Sequence, residues 1–260
     1  MTGVNTLFNG LLNTQGFDAL KFDSVKVVVG GGAAVQKSVS ERWTRTTGRS
    51  ITEAYGLTET SPGVCANPLG APWTGTIGVP FPSTDVSIRD DSFNELPAWT
   101  GVGDLEQHTG ELCVRGPQVM KGYWNKPEET AKVFQDGWLK TGDIGHLDAN
   151  GYFTITDRKK DMIVVSGFKV YPNEIESVVA ALPGVLECGA VGVPDPRTGE
   201  AVKVVIVKRD PDLTKEAVFQ HCRSQLTSYK QPRHVEFRDA LPKSPIGKVL
   251  RRELRDAPAQ

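Results

Sequence analysis

S-V-K-V-V-V-G-G-G-A-A-V, residues 24–35, is the stretch on which the fold turns. Ser24 to Gly30 is a nearly continuous β-branched run rather than an alternating one, which predicts a strand covered on both faces and ending in glycines. Val35, Val39 and Trp43 then recur at helical spacing, and Gly48 is placed to stop that helix. A short strand over residues 50–54 follows, leading into the loop Y-G-L-T-E, Tyr55 to Glu59. Strand, helix, strand in that order predicts parallel pairing. Two strands are few for a parallel sheet, so further strands upstream are expected.

Moving outward, the pattern changes after about Gly75. T-I-G-V-P, T-D-V-S-I-R, G-E-L-C-V-R-G and G-Y-F-T-I-T-D are short strands separated by Gly, Pro and Asn-Gly punctuation. They predict an antiparallel, barrel-like subdomain reaching to Asp157. Helices return after Arg158. Pro172 and Asn173 open one whose Ile175, Val178, Val179 and Leu182 share a face, with Glu174 and Glu176 in its dipole-favoured first turn. Strands near Cys188–Val193 and Ala201–Lys208 follow, then a helix from Thr214 that buries Val218, Phe219, Cys222 and Leu226. This last part reads as a compact α+β domain of about 100 residues. The fold class is thus α/β plus α+β, with no internal repeat.

Composition narrows the function. The 260 residues are 38% hydrophobic and 23% charged with net charge −1, ordinary for a globular chain. No apolar run approaches the roughly 20 residues of a membrane helix, and M-T-G-V-N-T-L-F-N-G lacks a signal-peptide pattern. Cys65, Cys113, Cys188 and Cys222 form no C-x-x-C pair, so reduced cysteines in a cytoplasmic protein are expected rather than a zinc site. Residues 1–157 carry 12 Lys+Arg against 18 Asp+Glu, and residues 158–260 carry 18 against 13. The basic second part suits anionic ligands such as a nucleotide, although an uneven spread between two domains is the plain alternative. No dense basic block with interleaved aromatics is present, so nucleic acid is not an expected partner.

Five motifs stand in one order: G-G-G-A (Gly30–Ala33), Y-G-L-T-E (Tyr55–Glu59), D-G-W-L-K-T-G-D (Asp136–Asp143), D-R-K-K-D-M-I-V-V-S-G-F-K-V-Y-P-N-E-I-E (Asp157–Glu176) and P-K-S-P-I-G-K (Pro242–Lys248). Singly each is weak, and T-G-D alone reads as a polar turn. Together they resemble the adenylate-forming superfamily of acyl-CoA ligases, luciferases and peptide-synthetase adenylation domains. The wording is most similar to bacterial long-chain fatty-acid–CoA ligases.

The resemblance implies a division into residues 1–157, the later part of a large AMP-binding domain (1–74 α/β, 75–157 β-rich), and residues 158–260, a small mobile lid. It implies ATP, Mg²⁺ and CoA as partners of a fatty acid. Gly31, Gly32 and Ala33 would lie against one face of adenine and Tyr55 against the other, with Ala54, Gly56 and Leu57 completing that wall. Glycine allows close backbone approach, and an aromatic ring suits a planar base; a glycine-rich turn beside a core tyrosine is the alternative. Thr58 would bond the α-phosphate and Glu59 would hold Mg²⁺, a metal content with one or two carboxylates. Asp143 would accept from the ribose hydroxyls, with Arg158 beside the same sugar. Lys248 would bridge carboxylate and α-phosphate as the adenylation cation. Lys160 would be the hinge, and Ser166, Gly167 and Phe168 would admit the pantetheine arm of CoA.

One expected part has no counterpart. The family's Ser/Thr/Gly-rich phosphate loop ending in lysine does not occur in these 260 residues, nor does G-x-x-x-x-G-K-[ST]. Expressed alone, they are therefore expected to lack turnover, as part of an active ligase or as an inactive nucleotide-binding or structural remnant. A medium-chain or aryl acid substrate is the catalytic alternative. Peripheral contact with the inner face of a membrane suits a fatty-acid enzyme, but no basic amphipathic helix argues for it, and the oligomeric state is not legible.

Overall fold

The computed structural model describes residues 1–244, 247 and 249–255. The chain divides into two compact units, Met1–Ile155 and Thr156–Gln260.

The first unit begins with β1 (Thr2–Gly3), α1 (Asn5–Leu12), β2 (Val28–Gly30), α2 (Lys37–Thr47) and β3 (Ile51–Gly56). β1, β2 and β3 pair in parallel, with Val28 opposite Ile51 and Gly30 opposite Glu53. The expected strand over Ser24–Gly30 is thus only its last three residues. α1 and α2 bring Phe8, Leu12, Val39 and Trp43 together with Phe17, Val28, Val35 and Ile51 in one buried cluster. Phe8 meets Trp43 edge-on at 5.0 Å between ring centres, a favoured aromatic geometry. Gly48 ends α2 in the left-handed conformation, with its amide donating to Thr44 O.

β4 (Gly63–Ala66) and β5 (Val79–Pro80) extend the sheet antiparallel from β3. The second sheet holds β6 (Asp85–Arg89), β7 (Gly110–Arg115), β9 (Trp138–Leu147) and β10 (Phe153–Arg158) in the order β10-β9-β7-β6. α3 (Pro127–Val133) precedes the short β8 (Phe134–Gln135), which pairs with β9. An antiparallel bridge between Gly78 and Phe153 joins the β5 end to β10. Val64, Cys65, Ile88, Leu112, Val114 and Phe153 form the core enclosed there.

T-G-D lies inside β9. Thr141 donates to Leu112 O, and Gly142 takes φ +72° where the register with β7 shifts between Glu111 and Cys113. Such a bulge re-aims a side chain.

The second unit contains β11 (Ile163–Val165), β12 (Phe168–Val170), α4 (Pro172–Ala180), β13 (Val185–Asp195), β14 (Gly199–Lys208), α5 (Lys215–Gln225), β15 (His234–Arg238) and α6 (Arg251–Arg255). Its sheet runs β12-β11-β14-β13, with β15 parallel to β14. Ile175 and Val179 of α4 and Val218 and Cys222 of α5 pack on Val202, Val204 and Ile206. Thr214 caps α5 by accepting from Ala217 N–H. Among the described residues, no helix is long and apolar enough to cross a membrane.

Candidate functional site

The carboxyl ends of β2 and β3 place two motifs side by side. Gly31 follows β2 directly, and a side chain there would begin 3.0 Å from Ala54 O. Glycine lets the two backbones run this close without either having to give, and Gly32 next to it is left-handed at φ +76°. Gly32 and Ala33 are exposed, whereas Ala54, Tyr55, Gly56 and Leu57 are half-buried. The carboxyl edge of parallel strands is where open α/β sheets bind ligands.

Tyr55 turns its hydroxyl toward β9 and donates to Asp143 Oδ2 at 2.6 Å. Asp143 is 5% exposed, and its amide donates to Thr141 Oγ1 at 3.0 Å. Glu111 Oε1 accepts from Gly142 N–H and pins the bulge from β7. Burial, and then the Asp143 carboxylate, hold the Tyr55 phenol far above its ordinary pKa, so it remains the donor.

After β3 the chain makes a one-turn 3₁₀ helix, Thr58–Thr60. Buried Thr60 organises it: its hydroxyl accepts from Leu57 N–H and lies 2.8 Å from Pro62 O. A β-carbon on Gly56 would fall 1.5 Å from Pro62 O, so this return of the chain demands glycine. Thr58 is left exposed at the tip. Glu59 accepts from the Tyr123 hydroxyl at 2.8 Å, and its carbonyl accepts from Met120 N–H at 2.8 Å. The bond to Glu59 is the main reason the Tyr123 phenol is shifted upward.

Glu53 is a further acid in this region. Burial pushes its carboxyl up to about 7, against the backbone of Thr74 and Gly75 and the Trp73 side chain, which favour the charged form.

The structure therefore brings together Gly31, Gly32, Ala33, Ala54, Tyr55, Gly56, Leu57 and Asp143, with Thr58 and Glu59 on the adjoining turn. Tyr123, Thr141, Glu111 and Glu53 were not singled out from the sequence. Thr141 stood within the T-G-D motif itself; Tyr123 and Glu111 become visible only through distances to residues far along the chain.

In the second unit, Arg158 is half-buried at the end of β10 and Lys160 is exposed in a one-turn 3₁₀ helix, Lys159–Asp161. Ser166 and Gly167, at φ +52° and +87°, form the tight hairpin between β11 and β12. Phe168 stacks on Tyr229 at 4.6 Å and 21°. Lys248 lies outside the described residues. Glu176 differs from expectation: it is tied to Arg251 and to Ala190 N–H rather than left to the helix dipole alone.

Comparison with known proteins agrees with this layout. Residues 1–124 match the family described as AMP-binding enzyme, and residues 174–248 match the AMP-binding enzyme C-terminal domain. The chain is 56% identical to a long-chain-fatty-acid--CoA ligase of Yersinia pestis and 54% identical to one of Escherichia coli O6:H1, in each case over 98% of this chain and 44% of the relative. It thus spans less than half the length of these relatives. The crystal structure of ATP-bound MatB from Rhodopseudomonas palustris superposes with a TM-score of 0.86 at 35% identity, covering 98% of this chain and 50% of that one.

Proposed function

Since this chain belongs to the AMP-binding enzyme family, we propose that it supplies part of a long-chain fatty-acid–CoA ligase. The reaction would activate a fatty acid with ATP as an acyl-adenylate, release pyrophosphate, then transfer the acyl group to CoA and release AMP. The observation that carries this reading is the meeting of Gly31–Ala33, Tyr55 and Asp143 at the carboxyl ends of the parallel strands.

In this reading Gly32 and Ala33 cover one face of adenine and the Tyr55 ring the other. The Tyr55 hydroxyl, spent on Asp143, fixes the plane of that ring. A carboxylate offers about four acceptor positions, so Asp143 can keep Tyr55 and also accept from ribose. Thr58, exposed at its turn, donates to the α-phosphate. Arg158 assists at the ribose, Lys248 carries the positive charge for adenylation, Lys160 is the hinge, and Ser166–Phe168 border the pantetheine path.

The donor set fits Mg²⁺. Among the described residues no group of three His, Cys, Asp or Glu could hold a metal, and Mg²⁺ bound to a nucleotide takes only one or two carboxylates beside phosphates and water. Glu59, oriented by Tyr123, is the carboxylate offered; the ion would neutralise phosphate charge. Separated charges meeting at one phosphorus make positioning and charge cancellation the main catalytic terms.

Titration with AMP and with a long-chain acyl-adenylate analogue tests the pocket: the analogue is expected to bind more tightly, and equal loss of both ligands in Gly32→Val supports the adenine wall. Joined to the upstream half of the Yersinia pestis relative, the chain is expected to form acyl-CoA from palmitate faster than from benzoate. The reverse preference would reject the long-chain assignment.

A further inference from the structure

The second unit holds a charged cluster that none of the proposed binding roles uses. Its centre is Arg251, which opens α6 three positions after Lys248. The guanidinium Nη1 donates to Asp157 Oδ1 at 2.9 Å and reaches Asp161 Oδ2 at 3.5 Å. Nε and Nη2 form a fork on Glu176, at 3.1 Å to Oε1 and 2.8 Å to Oε2, and Nη2 also donates to Asn173 Oδ1. The Arg251 side chain is 13% exposed and that of Asp157 1%. Such a planar fork with several acceptors cannot be reproduced by an ammonium group.

Each acceptor is itself fixed. Asp157 accepts from Arg158 N–H at 2.7 Å and Asn173 N–H at 2.8 Å, so it also closes the first turn of α4. Glu176 accepts from Ala190 N–H of β13 at 2.8 Å. On the other side, Lys243 and Val249 form an antiparallel bridge. Gly247 N–H donates to Ser244 O, Leu250 N–H to Pro242 O, and Lys243 pairs with Glu187. Leu254 is fully buried against Val191, Val205 and Leu241.

We propose that Arg251 is a positioning residue: its fork fixes the segment Val249–Arg255, which directly follows Lys248 in sequence, to α4 and to the Asp157–Asp161 turn. This rests on the reading of Lys248 as the adenylation cation. Leu254 and Val249 give the segment an apolar footing, but apolar contact is non-directional, and displacement of a catalytic group by about 1 Å can cost roughly 100-fold in rate. The multidentate anchor adds directional fixation to the segment that follows the lysine in sequence.

Two measurements test it. In the 260-residue chain, amide hydrogen exchange is followed for Arg251→Lys and Arg251→Ala. The amides of Gly247, Leu250 and Glu253 are expected to exchange at least about tenfold faster, with α5 unchanged. No acceleration there, or the same acceleration throughout the unit, overturns the proposal. In the chain joined to the upstream half of the Yersinia pestis relative, Arg251→Ala should lower the kcat of adenylate formation about 100-fold with little change in the KM for ATP, and Arg251→Lys should recover part of it. A rise in KM at unchanged kcat rejects positioning. Absence of adenylation before any substitution counts against the ligase reading instead, and the exchange result then decides the anchor by itself.

Discussion

Two acids, buried Asp143 in the first unit and half-buried Glu176 in the second, are held in opposite ways. Asp143 takes a hydrogen bond from a phenol, Tyr55, whose proton is secured by burial. Glu176 meets a guanidinium fork from Arg251. A phenol satisfies part of a carboxylate without cancelling its charge, which leaves the acid able to attract further donors. A bidentate arginine matches both oxygens and the charge together. The first arrangement suits a ligand site and the second a brace. Glu53 stands between them: backbone and indole donors reach it, yet burial still lifts its carboxyl to about 7.

The contrast is sharpest in ligand binding. Asp143→Ala should weaken AMP binding more than about 100-fold, because two charge-assisted bonds at about 1.5–3 kcal/mol each would be lost. Glu176→Gln should leave AMP affinity unchanged. Calorimetric titration of both variants checks this, and equal weakening by both would erase the distinction. Next comes a pH effect at Glu53. Its folded pKa is raised from 4.5, so its contribution is complete below 4.5 and lost as pH rises through about 7. Denaturant unfolding should show the first unit losing about 1–2 kcal/mol over that window, since solvent reaches the half-buried carboxyl and screens part of the shift. Glu53→Gln should flatten the slope, and a persistent slope would assign it to another group.

Which acids do which work was only partly legible in the sequence. The glycine run, the helix through Val39 and Trp43 and the α4 face of Ile175 and Val179 were readable because burial imposes a period. Residues such as Gly31 and Asp143 were legible only as motifs, since nothing local to T-G-D points at a tyrosine 88 positions away. The bulge at Gly142 was not legible because the group that pins it, Glu111, sits on a neighbouring strand. Tyr123 and Arg251 escaped for the same reason. A hydroxyl or guanidinium gives no periodic signal, and its role lies wholly in long-range partners.

Removing only the phenol hydroxyl probes the gentler of the two arrangements. Tyr55→Phe keeps the ring and leaves Asp143 without that donor, which should cost about 1–3 kcal/mol of first-unit stability. AMP affinity should fall far less than in Asp143→Ala. A loss of affinity as large as that of Asp143→Ala would mean the hydroxyl, not the ring, is what the nucleotide needs.

The smallest effect tests the brace. Glu176→Gln exchanges one arm of the fork for an amide and should cost about 1 kcal/mol at acid pH. Burial raises the Glu176 carboxyl above 4.5, with Arg251 pulling the other way. A raised folded value means that the contribution is complete below 4.5 and declines as pH rises past the folded value, because ionising the acid there is less favourable than in the unfolded chain. The glutamine variant has no such decline, so its deficit should shrink as pH rises. Unfolding measured at several pH values decides the matter. A deficit that grows with pH would mean the guanidinium outweighs burial, and Glu176 would then be a stabilising ion-pair partner rather than an acid tolerated for the sake of geometry.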